Sequence, residues 1–246
     1  MGLLRAMPPE GPPVLSWSTV GAPALVLGRS AGRPEVDEAA AAADGVAVVR
    51  RTSGGGPVLW DEHLVGLDVV LPPGHPLAPA DVVEAYRWLG EGVATALRAL
   101  GLPGVEVVGI ARARAAEPGG AAAACYGGLS PFEVLVEGRK VLGLSQARRR
   151  PGTLLQAGVV LTLDAGRTAR LMGRDRAFAR DLAESAAGLQ EWLPGLGTED
   201  VVAAVEAAVE HATGLRPEAD EPTPAEREAI AAALPETDPP RVATGT

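Results

Sequence analysis

Three short segments carry side chains whose types could do chemistry. In Gly138-Arg139-Lys140-Val141-Leu142-Gly143-Leu144-Ser145-Gln146, Lys140 is the single lysine among 22 basic residues. Where arginine has replaced lysine almost everywhere, a retained lysine marks a place that a guanidinium may not serve. An ammonium is a compact donor that can lose its proton, whereas a guanidinium is planar and stays charged. Gly138 and Gly143 leave room for a ligand against this strand; the plain alternative is an exposed hairpin lysine. The second segment is Arg50-Arg51-Thr52-Ser53-Gly54-Gly55-Gly56. Its glycines let backbone N–H groups approach an anion, and its arginines add bidentate donors. It is neither a dinucleotide nor a Walker phosphate motif, and a solvated glycine turn is the alternative. The third is Cys125, followed by Tyr126-Gly127-Gly128, the only cysteine in the chain. A lone cysteine is commonly a small buried hydrophobe. The glycine-rich setting raises its chance of being accessible.

Composition narrows what these residues could serve. The formal charge of −9 argues against broad attraction to nucleic acid. One cysteine permits no internal disulfide, His63, His75 and His211 are scattered, and no metal-ligand spacing appears. No apolar run is long enough to span a bilayer, and the first residues lack a signal-peptide core, so a cytoplasmic protein acting away from membrane is expected. Aromatics make up only 3% of the residues, so the core must be built from Val, Leu and Ala.

The elements that would position the three segments are mostly strands. Residues 14–17 and 23–29 read as two short strands joined at Gly21-Ala22, 36–43 as a helix, and 45–51 as a strand running into the glycine loop. Residues 58–60 and 65–72 are strand-like and resemble a hairpin whose connections carry the chemistry. Helical spacing over 79–100, from Pro79 and Asp81 to Gly101, marks the longest helix. Then come a strand at 104–112, a surface loop at 112–124, a hairpin at 132–146 turning at Glu137-Gly138, and a strand at 152–164. Helices are expected at 168–183, 199–213 and 224–234. No βαβ alternation is evident, which favours an α+β domain with a mixed, largely antiparallel sheet flanked by helices. The expected organisation is a catalytic core over 1–165, a helical part of the same domain over 166–234, and a disordered tail over 235–246.

Taken together, VLSWSTVGAPALVLGR (14–29), RRTSGGGPVLWD (50–61), CYGGLSPFEVLVEGRKVLGLSQARR (125–149) and GTLLQAGVVL (152–161) resemble the lipoate–protein ligase A and lipoyl/octanoyl transferase family. Each is weak alone; four in order are specific. The resemblance implies a fold related to biotin ligases and class II aminoacyl-tRNA synthetases. It implies attachment of an octanoyl or lipoyl group to one lysine of a lipoyl domain, such as the glycine cleavage H protein or a 2-oxoacid dehydrogenase acyltransferase subunit. Lys140 matches the family's active-site lysine. Arg51, Ser53, Gly54, Gly55 and Gly56, with Gly143 and Ser145, match its acyl or acyl-adenylate pocket. Two chemistries follow. Transferases take the acyl group from acyl carrier protein or another lipoyl domain through a cysteine thioester and need no cofactor. Ligases activate the free acid with ATP and Mg. Cys125 falls where the cysteine-dependent transferases carry their nucleophile, and transfer through Cys125, with Lys140 moving protons, is the preferred reading. An inactive binder of lipoyl domains or acyl ligands is a further alternative. The chain departs from the family pattern at Trp60-Asp61, near Asp68, and at Gln156-Ala157-Gly158. Leu3-Leu4-Arg5-Ala6 resembles only the end of the family's first helix.

Overall fold

The computed structural model describes residues 2–18, 20–29 and 36–232. Along the chain, β1 (Val14–Ser18) follows a short α1 (Gly2–Ala6) and precedes β2 (Ala24–Leu27), α2 (Glu38–Ala43), β3 (Ala47–Arg50), β4 (Val58–Trp60) and β5 (Leu64–Leu71). α3 (Arg87–Ala99), β6 (Val105–Val107), α4 (Ile110–Ala115), β7 (Val134–Val136), β8 (Arg139–Arg149) and β9 (Gly152–Val160) complete the sheets. α5 (Ala165–Leu171), α6 (Arg176–Ser185), α7 (Thr198–Thr213) and α8 (Pro224–Ala231) follow.

The main sheet has the order β1-β5-β9-β8-β7-β6, with every neighbour antiparallel. A second sheet, β3-β2-β4, joins β2 and β3 in parallel and β2 and β4 antiparallel. The fold is therefore α+β with a largely antiparallel sheet, as the strand pattern implied. Three local expectations fail. β1 and β2 are not paired: Pro23, which lacks an N–H, and the residues before it carry the chain from one sheet to the other. β4 and β5 likewise part company, and β2-α2-β3 is a small βαβ unit. Its crossover helix is short but properly started, because Asp37 Oδ1 accepts from Ala40 N at 2.8 Å.

Alternation along the central strands assigns two faces. Leu67, Val69 and Leu71 of β5 and Leu155, Ala157 and Val159 of β9 turn toward α3 and α7, packing with Leu89, Val93, Leu97, Val201, Val205 and Val209. Each such leucine contributes about 1.5–3 kcal/mol by leaving water. The opposite face is ordered in three rows across the strands. Val14, Val70, Leu154 and Ala147 form an apolar row beneath Leu4 and Met7. Ser16, Asp68, Gln156 and Ser145 form a polar row, and Ser18, Gly66, Gly158 and Gly143 a row almost without side chains.

Other departures have local causes. The 3₁₀ turn at Glu84–Tyr86 delays α3 to Arg87. The strand expected over 104–112 stops at Val107, and Ile110–Ala115 is helical. The single helix expected over 168–183 is two: Gly173, with φ of 61°, ends α5, and Asp175 caps α6 through Phe178 N at 2.9 Å. α7 begins at Thr198, one residue early, with Asp200 accepting from Gly197 N at 2.9 Å. The expected tail lies outside the described residues. Among those described, no helix is long and apolar enough to cross a membrane.

Candidate active site

The glycine loop follows β3 and is laced to β2, since Arg51 N donates to Leu27 O at 2.9 Å and Arg29 N to Ser53 O at 2.9 Å. A Cβ on Gly28 would meet Gly55 O at 1.8 Å and one on Gly56 would meet Cys125 N at 2.7 Å, so the loop is folded tightly over its neighbours. Cys125 opens a 3₁₀ turn whose first N–H donates to Pro57 O at 3.0 Å. Cys125 is thereby fastened to the end of the glycine loop, about 70 residues back in the chain.

Beneath this junction the glycine row of the main sheet clears the floor. A Cβ on Gly143 would touch Cys125 Sγ at 3.7 Å and the Tyr126 ring at 3.5 Å, and one on Gly158 would meet Tyr126 Oη at 2.8 Å. The Tyr126 hydroxyl donates to Gly158 O at 2.8 Å, and burial holds its phenol far above the ordinary value. The result is an open cleft. Arg51, Ser145 and Gln156 line its polar part, while Val58, Trp60, Leu64 and Tyr126 line its apolar part. Cys125 is half-buried at its side. Ser53 joins the polar part from the loop: its Oγ donates to Gln156 Oε1 at 2.6 Å and accepts from Ser145 Oγ at 3.3 Å. Arg51 Nη2 reaches Gly56 O at 3.4 Å, and its buried Nε has no partner. The guanidinium as a whole lines the cleft and places a positive charge there.

Lys140 does not line the cleft. It lies behind Cys125 at 1% exposure, and its Nζ donates to Cys125 O at 2.7 Å and Gly128 O at 3.0 Å. Its third partner is Glu133 Oε2 at 2.7 Å, with both side chains almost fully enclosed. All three ammonium protons are therefore engaged. Glu133 also accepts from Ser130 N at 2.7 Å and Leu144 N at 3.3 Å. Burial raises its carboxyl above the usual range, and Lys140 opposes that rise. Of the residues singled out in the sequence, the structure gathers Cys125, Arg51, Ser53, Gly55, Gly56, Gly143 and Ser145 at the cleft and its roof, with Lys140 one layer deeper. Gly54 is half-buried within the loop and does not line the cleft.

Glu133 went unnoticed in the sequence, as did the wall residue Leu64; Trp60 stood out only as a departure from the family pattern, and Tyr126 only as a neighbour of Cys125. A signal for Glu133 existed: a lone buried lysine needs a carboxylate, and only Glu133 and Glu137 lie close to it in the hairpin. Among the described residues no group of three or more His, Cys, Asp or Glu side chains could hold a metal ion.

The polar row yields a direct prediction. Asp68 accepts from Gln156 Nε2 at 2.9 Å, yet burial raises its carboxyl above the ordinary value despite that bond. The folded protein thus holds this proton to higher pH than the unfolded chain. Asp68's contribution to stability is full below the ordinary carboxyl range and is lost as pH rises through the raised value. Asp68→Asn keeps the acceptor and removes the charge. Thermal melts at several pH values should show the variant more stable than wild type at pH 7, by about 2–4 °C for each kcal/mol relieved, with no advantage near pH 3. A lower melting temperature at pH 7 would contradict this account of Asp68.

Residues 3–210 match the lipoyl protein ligase A/B catalytic domain family. A relative named octanoyltransferase LipM, from Kyrpidia tusciae, is 36% identical over 236 residues, covering 89% of this chain and 82% of that one. The chain belongs to this family of lipoyl and octanoyl protein-modifying enzymes. Among solved structures, lipoate-protein ligase A bound with ATP superposes with a TM-score of 0.72 at 18% identity, covering 94% of this chain and 85% of that one. A bipartite lipoate protein ligase from Thermoplasma acidophilum, studied with its E2 lipoyl domain, gives the same TM-score and identity, covering 94% and 83%. At that identity the likeness establishes the fold.

Proposed function

We propose that this chain transfers an octanoyl group to a lysine of a lipoyl domain through a thioester on Cys125. The observation carrying this reading is the placement of Cys125 Sγ beside a cleft that is polar at Arg51 and Ser145 and apolar at Val58, Trp60 and Leu64. An eight-carbon acyl thioester has that polarity. The relative named octanoyltransferase supports the same reaction.

The Cys125 sulfur attacks the thioester carbonyl of an acyl carrier, such as acyl carrier protein. A carbon–sulfur bond forms, the carrier's bond breaks, and the thiol proton leaves with the carrier sulfur. The Arg51 guanidinium, which lines the cleft, would stabilise charge developing on the carbonyl oxygen. In the second half, the amine of the acceptor lysine attacks the Cys125 thioester, an amide forms, and a proton from the amine returns to the sulfur. With all three ammonium protons donated, Lys140 has no lone pair with which to accept another and would first have to lose a proton. In the resting arrangement it therefore serves by charge and by fixing the Cys125 carbonyl. The acceptor is a lipoyl domain, either the glycine cleavage H protein or a dehydrogenase acyltransferase subunit.

The test is incubation with octanoyl-acyl carrier protein and no nucleotide. Intact mass should rise by one octanoyl group, hydroxylamine should remove it, and peptide mapping should place it on Cys125. No adduct, together with octanoate-dependent ATP–pyrophosphate exchange, would overturn the reading. It would favour ATP-dependent ligation with Mg, for which the Arg51 guanidinium at the cleft suits a phosphate oxygen equally well.

A further inference from the structure

The polar row at the cleft has a direction. Asp68 Oδ1 accepts from Gln156 Nε2 at 2.9 Å. An ionised carboxylate can only accept, so Gln156 turns its amide nitrogen toward Asp68 and its carbonyl oxygen toward the serines. Ser53 Oγ donates to that oxygen at 2.6 Å. Ser145 Oγ lies 3.4 Å from the same oxygen and 3.3 Å from Ser53 Oγ, so its single proton also points into the row. Each hydroxyl spends its donor inside the row and keeps a lone pair. Ser145 and Gln156 line the cleft, so on this side it is offered acceptors.

Arg51, which also lines the cleft, carries only donors. An acyl carbonyl oxygen suits Arg51 and has no use for the row, because a thioester group brings no N–H or O–H. The reactant that does is the amine of the acceptor lysine. Ser145 follows Gly143 by two residues on the same face of β8, about 7 Å along the strand. A Cβ on Gly143 would lie 3.7 Å from Cys125 Sγ, so an amine attacking a thioester on that sulfur arrives beside Ser145. Asp68 itself is costly: it is half-buried, no lysine or arginine pairs with it among the described residues, and burial disfavours its charge. A charge kept at the expense of stability points to function rather than folding.

We propose that Asp68 fixes the polarity of the Gln156–Ser53–Ser145 row, and that Ser145 Oγ thereby accepts a hydrogen bond from the acceptor lysine's amine as it attacks octanoyl-Cys125. This rests on the proposed acylation of Cys125 and concerns only the second half of the reaction. The lysine enters as the neutral amine, its ammonium proton having gone to water. Its nitrogen bonds to the acyl carbon, the carbon–sulfur bond breaks, and one N–H proton passes to the sulfur. The remaining N–H is the one that Ser145 holds. Asp68 is a positioning residue. Without it Gln156 is free to turn its nitrogen to the serines, and the row then meets the amine with donors.

The experiment gives octanoyl-enzyme either of two nucleophiles, the lysine of an apo lipoyl domain or the thiol of pantetheine, and follows loss of the adduct by intact mass. A thiolate brings no N–H and needs no acceptor. Asp68→Leu and Ser145→Ala should each lower the ratio of amine transfer to thiolysis about 10-fold, as expected for one hydrogen bond made in the transition state. Asp68→Asn, which can still accept from Gln156 Nε2, should stay within about threefold of the wild-type ratio. A merely structural role would slow both reactions alike. Melting temperature reports folding, and Asp68→Ala takes the place of Asp68→Leu if the latter does not fold. A ratio within about threefold of wild type in the folded Asp68→Leu or Ser145→Ala enzyme overturns the proposal while the acylation reading stands. A loss in Asp68→Asn as large as in Asp68→Leu also overturns it, by placing the effect in the charge rather than in the direction of the row. If wild type forms no octanoyl adduct, the acylation reading fails instead. The row is then judged on ATP-dependent modification: in Asp68→Leu, transfer to the lipoyl domain should fall about 10-fold relative to octanoate-dependent ATP–pyrophosphate exchange, and an equal change in both would overturn it.

Discussion

Lys140→Arg should reduce acylation of Cys125 by about 100-fold or more, although the positive charge is conserved. The three acceptors around Nζ, at 2.7, 3.0 and 2.7 Å, are the two ends of the 3₁₀ turn, Cys125 and Gly128, and Glu133 before β7. One tetrahedral ammonium can serve all of them from a single point. A guanidinium carries its donors in a plane and is larger. In a site 1% exposed it has no vacant direction in which to expand. Overfilling such a site costs about 1–3 kcal/mol. The movable element under that pressure is the turn carrying Cys125, and a displacement of about 1 Å at a reacting atom is enough for the expected loss. Single-turnover mass spectrometry with octanoyl-acyl carrier protein measures the acylation step apart from transfer to the lipoyl domain. Circular dichroism and melting temperature establish that the variant is folded. A folded Lys140→Arg enzyme acylated within threefold of the wild-type rate would show that placing the Cys125 carbonyl is not what the lysine does.

Why Lys140 was legible in the sequence, and its surroundings were not, follows from the kind of information each needs. The lysine stood out by type, the glycine loop by density, and Cys125 by being alone; none of these requires knowing what touches what. The antiparallel character of the sheet was equally readable, because alternation is local: Leu67, Val69 and Leu71 face the helices while Gly66, Asp68 and Val70 lie on the opposite face. Pairing is not local. β1 follows the pattern of a hairpin partner for β2, yet it pairs with β5, more than 45 residues on, and Trp17 Nε1 reaches Glu206 of α7 at 2.9 Å. Glu133 was hidden for a related reason. In FEVLVEG it alternates like a solvent-facing residue, but Phe132 has φ of 65° and the β7–β8 register shifts between Val134 and Leu135. These two irregularities turn the carboxylate inward, and neither leaves a mark in the residue types. The departures at Asp68 and Gln156 were visible one at a time. Only the register, which sets Asp68, Gln156 and Ser145 side by side under Ser53, shows that they are a single hydrogen-bonded row.

Glu133→Gln should cost about 3–5 kcal/mol of stability, the largest loss expected from any single substitution at the site. The amide retains an acceptor for one of the N–H groups of Ser130 and Leu144 but leaves the Lys140 ammonium buried without a counter-charge. Such a charge, removed from water, is tolerated only while it is paired. Chemical denaturation measures the loss. Replacing both members, Glu133→Met with Lys140→Met, removes the charges together and should recover part of the stability, because an apolar pair avoids the desolvation of two ions. Recovery is incomplete, since Cys125 O and Gly128 O lose a donor and Ser130 N and Leu144 N an acceptor, each costing about 1–3 kcal/mol where it stays buried. Acylation separates structure from chemistry in this pair. If the ion pair served only to hold the fold, the double variant would regain activity in step with stability. If it positions Cys125 and supplies charge beside it, stability returns and acylation does not. The second outcome is expected, because Lys140 donates to the carbonyl of Cys125 and carries a positive charge directly behind it. A double variant acylated at more than about one-tenth of the wild-type rate would assign the pair to folding alone.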